Sequence, residues 1–390
     1  MQLPRAYNNH ILNITDRSCA DPYVLFHNGT YYMTFTADGN RVEVWSGESL
    51  FDFESKCTKT VIWRPPPDTE YTADVWAPEI HAIHGKWYVY FAAAHPAFGN
   101  RTHRMYVLEG PSASESPLDA AKWKFHSKLH GMRDDQWAID GTAITLQGTM
   151  YFVYSGWPIG ETLSASKQEI FIMKMESPTK VIAPPVRISS PDYQWEYSGK
   201  SGINEGPQFL SSPDGRWTGI AYSCAGSWTS EYKMNVLHFS GGNPLNADHW
   251  KKWSRPLLAS NKNNTPPYGP GHGNFVLVNG QSTPEVWGCF HATDEKTGWE
   301  GRRARVMRVG WSDAGPYMGD GECGRCSGDV DHFLYGCREG CGCGEKKPEE
   351  GGGKPGKSVD HTGVGVDVVK SRIVGEAKGL FGKVERVFNK

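Results

Sequence analysis

The chain has 390 residues, a formal net charge of −2 and 12% aromatic residues, among them 15 Trp. That length suits a single all-β domain with a sizeable core. Near-balanced charge and the lack of a basic stripe argue against nucleic acid as a partner, and no apolar run is long enough for a transmembrane helix.

Residues 1–16 are expected to be a lead-in that docks on the domain. Residues 1–15 lack a basic stretch followed by an apolar one, so no secretory signal is read there. Asn-x-Ser/Thr triplets begin at Asn13, Asn28, Asn100 and Asn263 and would suit a secreted chain. Secreted and cytoplasmic locations both stay open.

From there a single arrangement recurs. A polar or charged residue precedes a short apolar strand, then a Gly-centred turn, then an aromatic strand. Asp21 leads to Asn28-Gly29 and Tyr31–Phe35, Glu79 to His84-Gly85 and Trp87–Phe91, and Asp140 to Gln147-Gly148 and Met150–Tyr154. Glu205 leads to Asp214-Gly215 and Trp217–Tyr222, and His272 to Asn279-Gly280 and Val286–Phe290. Such turn pairs between β-rich runs are the strongest short-range hairpin signal. The turn glycines 29, 85, 148, 215 and 280 are 56, 63, 67 and 65 residues apart. A hairpin repeated at near-constant period predicts an all-β, five-bladed β-propeller over residues 1–318. Equivalent starts of successive blades would then bring Asp21, Glu79, Asp140, Glu205 and His272 together at one mouth.

Other strands are expected at Val42–Trp45, Met105–Leu108, Ile170–Met175 and Met234–Leu237. Residues 188–204 read as a long polar loop that delivers Glu205. The alternating run Gly301–Trp311 is expected to finish the last blade. Beyond 318 the composition changes. Residues 319–345 hold Cys323, Cys326, Cys337, Cys341 and Cys343. Five thiols fit neither a four-ligand zinc site nor complete pairing, so zinc is not expected there. Residues 346–359 read as a flexible Gly/Pro linker, and 360–390 as a short amphipathic helix or tail weakened by its glycines.

Asp and Glu residues around an aromatic-walled pocket suggest glycoside hydrolysis. One carboxyl must be protonated to donate to the leaving oxygen, and another ionised to activate water or attack carbon. Position in the repeat supplies candidates without assigning the roles.

The segments CADPYV, VWAPEIHAIHGKWYVYF, WAIDGTAI, YFVYSGW, INEGPQ, GPGHGNF and GRRARVMRVGW, in this order, resemble glycoside hydrolase family 43, and most of all its α-L-arabinofuranosidases. The resemblance runs from about Asn13 to Tyr317 and implies an inverting mechanism on a five-bladed propeller. It implies that Asp21 is the general base, Glu205 the general acid, and Asp140 the residue that tunes and orients Glu205. Arg302 would contact the carboxylates and substrate, with Trp76 and Trp157 as pocket walls. His272 matches an axial histidine found in many relatives near calcium or its waters, so a structural calcium is an expectation and no other cofactor is required. The family often has Gln where this chain has Met307. Inversion would set the Asp21 and Glu205 carboxyls roughly 6.5–9.5 Å apart.

The reading is an exo-acting α-L-arabinofuranosidase, a monomer, whose partner is a plant cell-wall polysaccharide or oligosaccharide such as arabinan or arabinoxylan. A β-xylosidase on the same scaffold is the near alternative, and a sugar-binding propeller without catalysis the distant one. The Trp-Met-Asn-Asp-Pro-Asn motif of retaining fructan hydrolases is absent.

Overall fold

The computed structural model describes residues 11–51, 53–260, 266–279 and 284–318. Among these residues the fold is all-β, with one single-turn α-helix at Phe53–Lys56 and short 3-10 turns. The turn glycine at 280, the cysteine-rich segment, the linker and the amphipathic segment lie outside the described residues. No described helix is long and apolar enough to cross a membrane.

Four consecutive up-and-down meanders form the body. The first comprises Ala20–His27, Thr30–Thr36, Val42–Gly47 and Thr58–Trp63, and the second Ala73–Ile83, Lys86–Ala94, Arg104–Ser112 and Lys124–Lys128. The third comprises Ala138–Leu146, Thr149–Gly156, Lys167–Ser177 and Lys180–Ser189. The fourth comprises Ser201–Ser211, Thr218–Cys224, Lys233–Phe239 and Trp250–Lys252, and a short parallel pairing of Lys167 with Gly202 joins it to the third. A further sheet has Tyr268–Val278, Glu285–Thr293 and Arg303–Arg308, and its outer strand is Leu12–Asn13. Leu12 pairs with Val306 and Asn13 with Arg305. The described part of the lead-in therefore supplies a strand of the last sheet, and Arg303–Arg308, within the run 301–311, is the third strand of that sheet rather than its last. A two-residue strand carries too little pattern to be read from sequence.

The first strand of each sheet packs against the first strand of the next, and that of the last against that of the first. Each pair of neighbouring sheets encloses its own apolar cluster. Trp87, Val89 and Phe91 join Val42 and Val44 between the first two, and Tyr154 and Phe152 join Tyr90 between the second and third. Ile172 and Tyr222 meet between the third and fourth, Val236 and Phe290 between the fourth and last, and Trp287 and Met33 between last and first. Full burial of one such side chain stabilises by about 1.5–3 kcal/mol.

The first three hairpins turn on Asn28-Gly29, His84-Gly85 and Gln147-Gly148. Both residues of each pair have positive φ, as the two-residue type I′ turn requires. At the opposite end of each first strand lies a β-bulge, where two residues oppose one aromatic. Asp21-Pro22 faces Phe35, Ala77-Pro78 faces Phe91, Asp140-Gly141 faces Tyr154, Gly206-Pro207 faces Tyr222, and His272-Gly273 faces Phe290. The first residue of each pair sits at φ between 43° and 56°. Only one is glycine, so four positions hold an L side chain in the left-handed region, at about 1–2 kcal/mol each. Bulges re-aim side chains at sheet ends, and here they aim them at a common centre.

Candidate active site

The bulge register corrects the equivalence read from the repeat. Ala77, not Glu79, stands where Asp21, Asp140 and His272 stand, and Glu205 precedes its bulge by one residue. Glu79 lies further along its strand, buried, accepting a bond from Gln208 Nε2 and sitting 3.1 Å from His81 Nε2.

A bulged residue loses its place in the ladder, so its N–H needs another acceptor. The Asp21 N–H donates to His291 Nδ1 at 3.0 Å, and the Ala77 N–H to Thr36 Oγ1 at 2.8 Å. The Gly206 N–H donates to Asp140 Oδ2 at 3.0 Å, and the His272 N–H to Ser223 Oγ at 2.6 Å. Each acceptor belongs to a neighbouring sheet. These bonds stitch the sheet ends together around the acidic groups.

The Asp21 carboxylate accepts from Thr36 Oγ1 at 2.7 Å. His272 Nδ1 lies 3.2 Å from its Oδ1, and Arg302 Nη1 lies 3.8 Å away. His272 Nδ1 is also 4.0 Å from Asp140 Oδ2, so one imidazole stands between two carboxylates. Glu205 Oε1 accepts from the Tyr232 hydroxyl at 2.9 Å, and the Tyr232 ring stacks on His291 with centroids 5.5 Å apart.

Residues 188–204 are not simply a loop. They contain a 3-10 turn at Gln194–Glu196 and the strand Tyr197–Ser198, and they lead into the 11-residue strand that holds Glu205 in its interior. Glu196 is fully buried. Its carboxylate accepts from the Asp192 and Tyr193 N–H groups, Asn204 Nδ2, the Tyr222 hydroxyl and Lys252 Nζ. Ser189 Oγ donates to Asn204 Oδ1 at 2.6 Å, and Ser155 Oγ to the Asn204 carbonyl at 2.9 Å. The residue next to Glu205 is thus fixed from three sides.

These surroundings separate the acids. Burial pushes Glu205 up to about 8, the Asp140 charge adds to that, and the Tyr232 bond and His272 oppose it. Burial also raises Asp140, to about 6, despite the pull of His272. Burial alone would raise Asp21 as well. The His272 charge and hydrogen bond and the Arg302 charge outweigh it and hold Asp21 well below the ordinary carboxylate range. His272 is disfavoured as a cation by burial, but Asp140 and Asp21 lift it to about 10. Burial drops His291 to about 4, and its Nδ1 accepts the Asp21 N–H, so it is neutral with its proton on Nε2. Near pH 7 the cluster therefore holds an ionised Asp21, a protonated Glu205 and an imidazolium at His272. One carboxylate and one carboxylic acid in a single site can take a proton from water and give one to a leaving oxygen.

The family model for glycosyl hydrolases family 43 matches residues 11–316. The chain belongs to glycosyl hydrolase family 43. An extracellular exo-α-(1→5)-L-arabinofuranosidase of Streptomyces chartreusis is 33% identical over 307 residues, which cover 75% of this chain and 84% of that protein. An α-L-arabinofuranosidase of Humicola insolens is 31% identical over 303 residues, covering 76% of this chain and 60% of the other. The crystal structure of an α-L-arabinofuranosidase from Lactobacillus brevis superposes with a TM-score of 0.69 at 26% identity, covering 80% of this chain and 98% of that one. This family 43 chain is thus a glycosidase.

Within the glycosidase, the sequence-derived residues Asp21, Asp140, Glu205, His272 and Arg302 come together. The two tryptophans stand differently. Trp76 is half-buried with its ring stacked on His103 at 4.0 Å, and Trp157 is buried, stacked on Trp137 at 5.0 Å. Met307 is buried in the apolar cluster with Phe290 and Val236, so the departure from the family's Gln falls in the core. Sequence reasoning missed His291, Tyr232, Thr36 and Ser223. A signal existed for three of them. Each follows the aromatic that faces a bulge: Phe35-Thr36, Tyr222-Ser223 and Phe290-His291.

Proposed function

We propose that this family 43 glycosidase is an inverting, exo-acting α-L-arabinofuranosidase that releases L-arabinose from arabinan or arabinoxylan, on a five-bladed β-propeller. Five sheets in a closed cycle of contacts, with Leu12–Asn13 completing the last, support the blade count. The substrate rests on the relatives, one of which carries exo-α-(1→5)-L-arabinofuranosidase activity in its name.

The observation that carries the mechanism is the split between an ionised Asp21 and a Glu205 held near 8. In the proposed step Asp21 takes a proton from water as the water oxygen bonds to the anomeric carbon. The bond from that carbon to the glycosidic oxygen breaks, and Glu205 gives its proton to that oxygen. Asp140 keeps Glu205 protonated by its charge and fixes the adjacent backbone through the Gly206 N–H. His272 and Arg302 hold Asp21 ionised, and Arg302 also contacts substrate. Trp76 and Trp157 would shape the wall from behind rather than as bare platforms.

His272 Nδ1 faces the Asp21 and Asp140 carboxylates, so that ring nitrogen is already engaged. Among the described residues no group of three or more His, Cys, Asp or Glu is disposed to hold one. A calcium would have to be carried through water, and no step is routed through it.

The test is Glu205→Gln. The variant should melt like the parent and lose at least about 10²-fold in turnover of arabino-oligosaccharides, while an aryl arabinoside with an activated leaving group is spared much of that loss. Undiminished turnover of the oligosaccharides by the folded variant overturns the assignment. Release of xylose rather than arabinose by the parent would keep the carboxylate roles and replace the sugar.

A further inference from the structure

The loops that leave the second strands of the fourth and last sheets, residues 225–232 and 294–302, stand at the end of the molecule where the bulges lie. They are built as one unit. Thr229 and Thr297 form an isolated antiparallel bridge, and the Gly298 N–H donates to the Trp228 carbonyl at 2.9 Å. Trp299 Nε1 donates to Ser227 Oγ at 3.1 Å, and the Trp228 and Trp299 rings meet edge to face, 5.8 Å apart at 66°. Trp299 nevertheless remains 41% exposed.

Each end of this unit reaches a group assigned to the reaction. Tyr232 closes the first loop and donates to Glu205, while the Trp299 carbonyl accepts from Arg302 Nε at 3.1 Å, and the same guanidinium approaches Asp21. The sugar being released must lie among Asp21, Asp140 and Glu205. Trp299 stands one contact beyond that group, through Arg302, and the Tyr232 end of the paired loops adjoins the acid, which must face the leaving oxygen.

We propose that Trp228 and Trp299 form an aromatic lip that binds the sugar residue on the leaving-group side of the scissile bond. This rests on the glycosidase reading above and extends it. A flat, half-exposed indole fixed by its own N–H offers a rigid apolar face, and the C–H face of a sugar ring matches it. The lip gives the enzyme its preference for a chain over a lone sugar, and its contribution is to binding rather than to proton transfer.

The experiment compares the full-length parent with Trp299→Ala and Trp299→Phe on arabinobiose and arabinotriose, with free L-arabinose as competitive inhibitor. Trp299→Ala should raise KM for both oligosaccharides roughly tenfold, leave kcat within about twofold, and leave the inhibition constant of arabinose unchanged. Trp299→Phe, which keeps a ring, should recover most of the loss. An unchanged KM in Trp299→Ala overturns the lip, as does a parallel rise in the arabinose constant. Xylobiose and xylotriose run alongside separate the two failures. A parent that cleaves only these refutes the arabinose reading, and the same comparison on them decides the lip. If the parent turns over neither series, equal equilibrium binding of the oligosaccharides by parent and Trp299→Ala overturns it as well.

Discussion

Replacing Asp140 by Asn removes one negative charge and almost nothing else. The Asn carbonyl oxygen can still accept the Gly206 N–H that Asp140 Oδ2 accepts at 3.0 Å. With a pKa near 6, Asp140 is ionised at pH 7, and its charge is the largest contribution after burial to lifting Glu205 to about 8. A close charge of this kind is worth on the order of two pKa units. Without it, and with the cationic His272 still pulling downward, Glu205 should titrate near 6. The protonated fraction at pH 7 then falls from about nine-tenths to about one-tenth, an activity loss of roughly tenfold. At pH 5 Glu205 is protonated in both proteins and Asp21, held well below 3.8, is still ionised, so the rates should converge. The assay is kcat/KM for arabinotriose from pH 4.5 to 9. The parent should lose activity through an alkaline limb near 8, and Asp140→Asn through one about two units lower. An equal loss at pH 5 and pH 7.5 would refute the argument, because a purely geometric role does not titrate.

Ala77 occupies the left-handed bulge position at φ 43° and has no acidic partner to hold, so Ala77→Gly should raise stability by roughly 1 kcal/mol with activity intact, read by thermal melting. Glu196→Gln places an amide among five donors, and loss of the buried charge pair with Lys252 should cost roughly 3–5 kcal/mol; a melting temperature like the parent's would contradict the anchoring described for Asn204. Stability should also fall on the alkaline side. His272 is raised to about 10 from 6.5, so its contribution is complete below 6.5 and is lost as pH climbs towards 10. Glu205, raised to about 8 from 4.5, adds a loss of the same sign between those values, and Glu205→Gln should remove that part of the slope in melting temperature against pH.

Much of this was legible in the sequence because hairpin chemistry is local. Asn28-Gly29, His84-Gly85 and Gln147-Gly148 announce their turns, and the aromatic strands that follow announce the sheets. The bulges were not legible, because a bulge is a relation between two strands. Asp21-Pro22 and Glu79-Ile80 look alike as strand openings, yet only the register against Phe35 and Phe91 separates them. Closure by Leu12–Asn13 was hidden for a similar reason, since two residues carry no period. The candidate acids were visible as residue types, and their order as base and acid came with the family resemblance. What sets their protonation in the structure is burial and the Asp140 charge at Glu205, tempered by the Tyr232 bond, and His272 with Arg302 at Asp21, while His291 holds the Asp21 backbone. Tyr232, His291 and Arg302 lie outside the first strands on which the repeat was read.

The most direct measurement is a proton NMR time course of the purified protein acting on arabino-oligosaccharides, with xylo-oligosaccharides in parallel. Free arabinose appearing first as the β-anomer, from the chain end, is the predicted result and reports substrate, exo action and inversion together. Initial release of the α-anomer would contradict the single displacement by an Asp21-activated water.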